Sequence, residues 1–268
     1  MVYAIFCLRQ FIRRSLGVLQ LVGSAGPTPP FIARLGSLGQ LRRSENLFSV
    51  RVWDLPTRLC HVALTVLFLA LVLSGQIGGD VMVWHMRCGY AMLSLVMWRL
   101  VWGFAGGYWS RFSSFLSTPW QAWRFARLPW DKKRQVIGHN PLGAWAIVAM
   151  LCFLGLQACA GLFSDDQIVT SGPLTALVSQ AWVERATQWH TGLGKWTLIA
   201  LVSLHLGSVF WYRKVGRIDL LNPMLTGDKV LENPAQDSKD NTASRLLAGV
   251  LLLLCATAVG LLVQSGLP

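Results

Sequence analysis

Charge is scarce in this sequence. Asp, Glu, Lys and Arg make up 13% of its 268 residues while apolar residues make up 53%, a balance that excludes an ordinary soluble domain and suits a chain with several membrane spans. Acids are scarcer than bases, 12 against 24, and the long apolar runs hold none of them. A zinc or iron site built on carboxylates therefore has no ligands inside those runs. The six cysteines, Cys7, Cys60, Cys88, Cys152, Cys159 and Cys255, form no Cys-x-x-Cys. Covalent c-type haem attachment and a cysteine zinc site both lose their pattern, and cysteines within apolar runs read as small hydrophobes. Paired broken helices and an inverted repeat are missing too, which speaks against a transporter.

What is present is five apolar stretches, at about residues 59–77, 83–104, 142–163, 189–212 and 246–263, each long enough to cross a membrane. Thirteen Trp residues fit this reading, because Trp collects at bilayer interfaces. Trp53-Asp54-Leu55-Pro56 opens the first span with an Asp cap and Pro in the first turn. Thr118 and Pro119 start a short Trp/Arg-rich helix suited to the membrane interface. Arg99, near the far end of the second span, can snorkel to the interface.

Residues 1–49 are a basic extension, with Arg9, Arg13, Arg14, Arg34, Arg42 and Arg43 against Glu45. No basic n-region opens it, so it is a poor signal peptide. It is expected to be a disordered arm or the product of a misassigned start. Residues 50–229 form the membrane domain, and residues 230–268 a polar linker and the fifth span.

Loop charge orients the chain. Arg111, Arg124, Arg127, Lys132, Lys133 and Arg134 lie between the second and third spans, and Arg213, Lys214 and Arg217 follow the fourth. The turn at 78–80 and the loop at 164–188 are poor in bases. The positive-inside rule then puts the N-terminus in the cytoplasm and the C-terminus outside. The net charge of +12 reads as topology, and no nucleic-acid partner is expected beside membrane lipid.

Orientation gives each span histidine a depth. His61 and His205 fall toward the cytoplasmic side, His85 and His190 toward the outer side. His190 and His205 share one span and are fifteen residues apart, ~22 Å along a helix. A histidine near a helix end is ordinarily an interfacial polar residue. Four at matched depths, with one span contributing to both levels, suit bis-histidine ligation of two b haems in a four-helix bundle. The expected fold is an all-α membrane protein, a four-helix transmembrane bundle holding two haem b groups, plus a fifth C-terminal transmembrane helix.

The segments VRVWDLPTRLCH, WHMRCGY, RFSSF, GHNPLGAW, the His190/His205 span and NPMLTG resemble, in that order, the bacterial cytochrome b561 family, which includes the cytochrome b subunits of nickel-iron hydrogenases. The resemblance covers about residues 50–229. It implies a membrane bundle with two b haems that exchanges electrons with quinone and a redox partner, and it places the ligands on His61, His85, His190 and His205.

Beside these, Arg58 and Arg87 are candidates for haem propionates, since a guanidinium binds a carboxylate bidentately; Arg58 is equally a positive-inside anchor. Lys195 either snorkels outward or serves a haem or quinone at the outer face. His139 is a helix-entry residue or part of a quinone or propionate site. Gly192, Gly194 and Gly207 either let a flat macrocycle approach or pack helices. The mildly acidic outer loop (Asp165, Asp166, Glu184) suits a basic c-type cytochrome. The expected function is a di-haem b-type cytochrome carrying electrons between quinone and a c-type cytochrome or hydrogenase-like partner. Two rivals remain: a quinone-coupled oxidoreductase acting directly on a small outer-face substrate, and a non-redox anchor or transporter.

Overall fold

The structure, a computed structural model, describes residues 47–168 and 170–266. The basic extension expected for residues 1–49 therefore lies outside the described residues except for its last three. Two compact units are distinguished. One holds described residues 47–49 and 230–234, the other residues 50–229 and 235–266, and the candidate site lies wholly within the second.

Five long apolar helices make up this unit: Leu55–Ile77, Met82–Ala105, Pro141–Leu162, Gly194–Lys214 and Thr242–Ser265. Local chemistry sets where they begin. Asp54 accepts the N–H of Thr57 and Pro56 fills the first turn. Asn140 accepts from Gly143 with Pro141 at the first position, and Asn241 accepts from Ser244. The interface helix Pro119–Ala126 carries the full capping box of Thr118 and Gln121. It buries Ala122 and Phe125 while Trp120 and Trp123 stay exposed.

The fourth span differs from its expected form. Residues 180–188 lie in a helix, Gln180–Gln188, and the span continues through a π-helical turn, Trp189–Leu193, into Gly194–Lys214. The first stretch is polar, with Val183 its buried residue, so it extends the span beyond the apolar run without adding to it.

The second span is the hub. It packs against the first, third and fifth, and the third packs against the fourth. Trp98 and Trp102 stack on each other, and Trp98 Nε1 donates to the Ala248 carbonyl of the fifth helix at 2.9 Å. On the first span, Leu59, Val62, Val66, Leu69, Leu73 and Ile77 are exposed at helical spacing, an apolar stripe that suits lipid.

A polar clasp closes the end where the first span begins. Asp54 is fully buried and accepts from Thr57 N, Trp102 Nε1 and Ser110 Oγ. Arg51 pairs with Asp228 at 2.5 Å and Asp240 at 2.6 Å, and Asp240 also meets Arg245. Both basic segments reach this end: Arg134 Nε donates to the Gly216 carbonyl, and Trp130 packs edge-on against Tyr212.

Candidate functional site

Two pairs of imidazoles face each other across the bundle. His61 and His205 have ring centroids 6.5 Å apart, and His85 and His190 have theirs 6.0 Å apart. The first pair joins the first and fourth spans, the second pair the second and fourth. Neither of those helix pairs is in close backbone packing, so the imidazoles meet across a gap between helices.

The fit of an iron between two imidazoles can be tested on these distances. A ligating nitrogen sits about 2 Å from its metal and roughly 1 Å from its own ring centre, so trans imidazoles have centroids ~6 Å apart. Both separations meet that requirement. Among the described residues no cluster of three or more His, Cys, Asp or Glu is arranged for a metal ion. The donor set is two imidazoles per site, which matches a macrocycle that supplies four ligands of its own.

Hydrogen bonds fix the tautomers of the second pair. His190 Nδ1 lies 2.9 Å from the carbonyl of Gln157. A carbonyl only accepts, so Nδ1 carries the proton and Nε2 keeps its lone pair. Ser74 Oγ donates to the Ala70 carbonyl at 2.6 Å and lies 3.0 Å from His85 Nδ1. Its proton being engaged, the serine accepts from Nδ1, and His85 too has a free Nε2. Among the described residues no hydrogen bond reaches the rings of His61 or His205.

Backbone shape supports the same pair. The π turn at Trp189–Leu193 has Gly192 off the helical region, and the Gly194 N–H reaches back five residues to Trp189. The His190 carbonyl instead accepts from Gln157 Nε2 at 2.7 Å. Gln157 thus grips His190 twice, by its backbone carbonyl and by its amide. A Cβ at Gly75 would lie 3.2 Å from His85 Cε1, and one at Gly161 would lie 2.9 Å from His190 Cε1. A glycine on a neighbouring helix makes room for each ring.

A cavity of about 250 Å³ opens here, lined by His85, Gly89, Tyr90, Gln157, His190 and Lys195 among others, with Asp165, Asp166 and Thr170 also on its wall. Lys195, a sequence candidate, thus reaches this site and also lies 5.2 Å from the Trp196 ring. Arg87 is not among the lining residues. It is exposed, and its guanidinium sits 5.1 Å from the Trp84 ring.

At the other end, Arg58 donates through Nη2 to the Leu225 carbonyl, while its Nε is buried without an acceptor. His139 is packed between Trp53 and Phe115, at centroid distances of 4.4 and 4.9 Å. Burial, together with the positive charge of Arg99 nearby, pushes its pKa down to about 3, so its ring is neutral. The snorkelling expected of Arg99 is not found. The residue is 6% exposed, because the segment at 111–115 folds over it and lays Phe112 5.4 Å away. Of the glycines proposed for macrocycle approach, Gly207 faces open space, whereas a Cβ at Gly194 would strike Gln157 and Trp189.

Sequence reasoning missed Gln157, Ser74, Gly75 and Gly161. The one usable signal was Gln157, a lone amide in an apolar run.

An all-α bundle with membrane-length helices and two facing imidazole pairs defines a class, the multi-pass membrane cytochromes of b type. The sequence profile of prokaryotic cytochrome b561 matches residues 52–227, and the chain belongs to this family. A probable Ni/Fe-hydrogenase B-type cytochrome subunit from Bradyrhizobium diazoefficiens is 21% identical over 244 residues, covering 79% of this chain and 98% of that protein. No solved structure matches significantly. The chain is accordingly a multi-pass membrane protein of electron transfer, from a family that binds b-type haem.

Proposed function

We propose that this protein is a di-haem b-type cytochrome that carries single electrons across a bacterial inner membrane, between the quinone pool and a redox partner. The observation that carries the reading is the pair of facing imidazoles at each end of the bundle, with centroids 6.5 and 6.0 Å apart. His61 and His205 hold one haem toward the cytoplasm, and His85 and His190 the other toward the outside. The iron supplies a one-electron valence change. The chain supplies the rest. Gln157 and Ser74 hold Nδ1–H of the outer histidines, leaving Nε2 as donor. Lys195, and Arg87 once turned from Trp84, provide cations at the outer end, and Arg58 provides one at the inner end. His139 closes the wall beside the inner pair as a helix-entry residue.

A hydrogenase-like enzyme is the partner suggested by the similarity to the hydrogenase B-type subunit, and a basic c-type cytochrome fits the acidic loop at Asp165 and Asp166. One observation favours a second reading, a quinone-coupled oxidoreductase acting on a small outer-face substrate. The cavity at His85 and His190 is mostly apolar but includes Asp165, Thr170, Thr187 and Lys195 in its lining.

The purified protein should give two equivalents of protohaem in a pyridine haemochrome assay. His205→Ala should lose one and keep the other. A protein without protohaem overturns the reading, and an unchanged haem count in the variant overturns the pairing. Rapid mixing of the reduced protein with small oxidants separates the second reading, which fails if only quinone or a partner cytochrome reoxidises it.

A further inference from the structure

Arg99 carries a charge in a place where charge is costly. It is 6% exposed, its Nη1 is buried without an acceptor, and among the described residues no carboxylate pairs with it. Its neighbour is the face of Phe112 at 5.4 Å. That ring is pressed against the second span at Gly103, where a Cβ would collide with it. Arg111, next to Phe112 in sequence, also has a buried Nε without an acceptor.

The acid in range is already committed. Asp54 Oδ1 takes the N–H groups of Thr57 and Trp102, and Oδ2 takes the Ser110 hydroxyl. Removing a guanidinium from water without a partner is strongly unfavourable, so such a residue is ordinarily matched by an anion of its own. Its surroundings indicate which one. Cys60, the residue before His61, packs in one buried cluster with Trp98 and Trp102, which lie on either side of Arg99 in the second span. Phe112, which lies over Arg99, is 5.8 Å from Phe115, and Phe115 packs on His139 at 4.9 Å. The guanidinium therefore belongs to the neighbourhood of the inner histidine pair.

We infer that Arg99 binds a propionate carboxylate of the haem held between His61 and His205, an assignment that rests on the di-haem reading above. A planar fork of N–H donors in a water-poor setting is suited to a carboxylate, which it meets bidentately. The fixed positive charge favours the reduced state, which carries one more electron.

The test is a haem-resolved redox titration of the intact protein, with wild type, Arg99→Gln and Arg99→Lys compared. In Arg99→Gln the inner haem should become at least tenfold harder to reduce, ~59 mV for a one-electron couple, while the outer haem moves by less than threefold. Arg99→Lys should keep most of the potential but shift the carboxylate bands in redox-difference infrared spectra of protein carrying haem with carbon-13 propionates. An unmoved inner haem in Arg99→Gln, or an equal shift of both haems, overturns the inference. So does a shift that follows added phosphate or anionic lipid, which would identify an external anion. If Arg99→Gln does not accumulate, Arg99→Lys decides, and unchanged propionate bands refute the assignment. Absence of protohaem from the wild type would instead refute the di-haem reading itself.

Discussion

At the scale of single residues, the question is what aims an imidazole. His190 is held by two bonds from one residue, Gln157, and these differ in how they respond to substitution. Gln157→Leu leaves the backbone carbonyl that takes Nδ1–H and deletes the amide that meets the His190 carbonyl. Losing such a supporting bond typically weakens a ligand's hold roughly ten- to hundredfold. We expect haem retention at the His85–His190 site to fall by that order, with a changed low-spin resonance signal and the other site unaffected. A variant whose outer signal matches wild type would remove Gln157 from the site. The histidines themselves were legible in the sequence, because depth along a span is residue count multiplied by helical rise. Gln157 and Arg99 were not. An amide in an apolar run and an arginine near a span end have several outcomes, and which one holds depends on the chain that folds against them. For Arg99 that chain is the segment at 111–115, which converts an expected surface cation into a buried one.

At the scale of elements, the five long helices were readable from apolar length, and the starts of the first and interface helices from Asp54 and Thr118. The π turn at Trp189–Leu193 was not readable, because one extra residue in a single turn does not disturb apolar periodicity enough to register. Its logic becomes visible at Gly194. A Cβ there would sit against Gln157 Oε1, Trp189 Nε1 and the Trp189 carbonyl. Gly194→Ala should overpack this junction at a cost of about 1–3 kcal/mol, seen as a lower melting temperature in detergent together with loss of the outer-site haem band. Gly207→Ala, which meets nothing within 4 Å, is the matched control for helix propensity. Equal behaviour of the two variants would mean that the turn is indifferent to its filling.

At the scale of the whole molecule, the sorting of charge sets direction. The structure gathers the two basic segments at one end, where Arg134 bonds the Gly216 carbonyl, and the acidic loop of Asp165 and Asp166 lines the cavity beside His85 and His190. The positive-inside rule assigns the basic end to the cytoplasm. Reporter fusions at the C-terminus should then be active outside, and fusions in the 106–140 loop inside; the reverse pattern would exchange the roles of the two sites. One more property follows from the fourth span, which supplies a histidine to each pair. Because both histidines hang from one span, the fifteen residues between them, ~22 Å in regular helix and modified at one end by the π turn, set their spacing. On the proposed di-haem reading, substitutions around either site would retune its energy and leave that spacing unchanged.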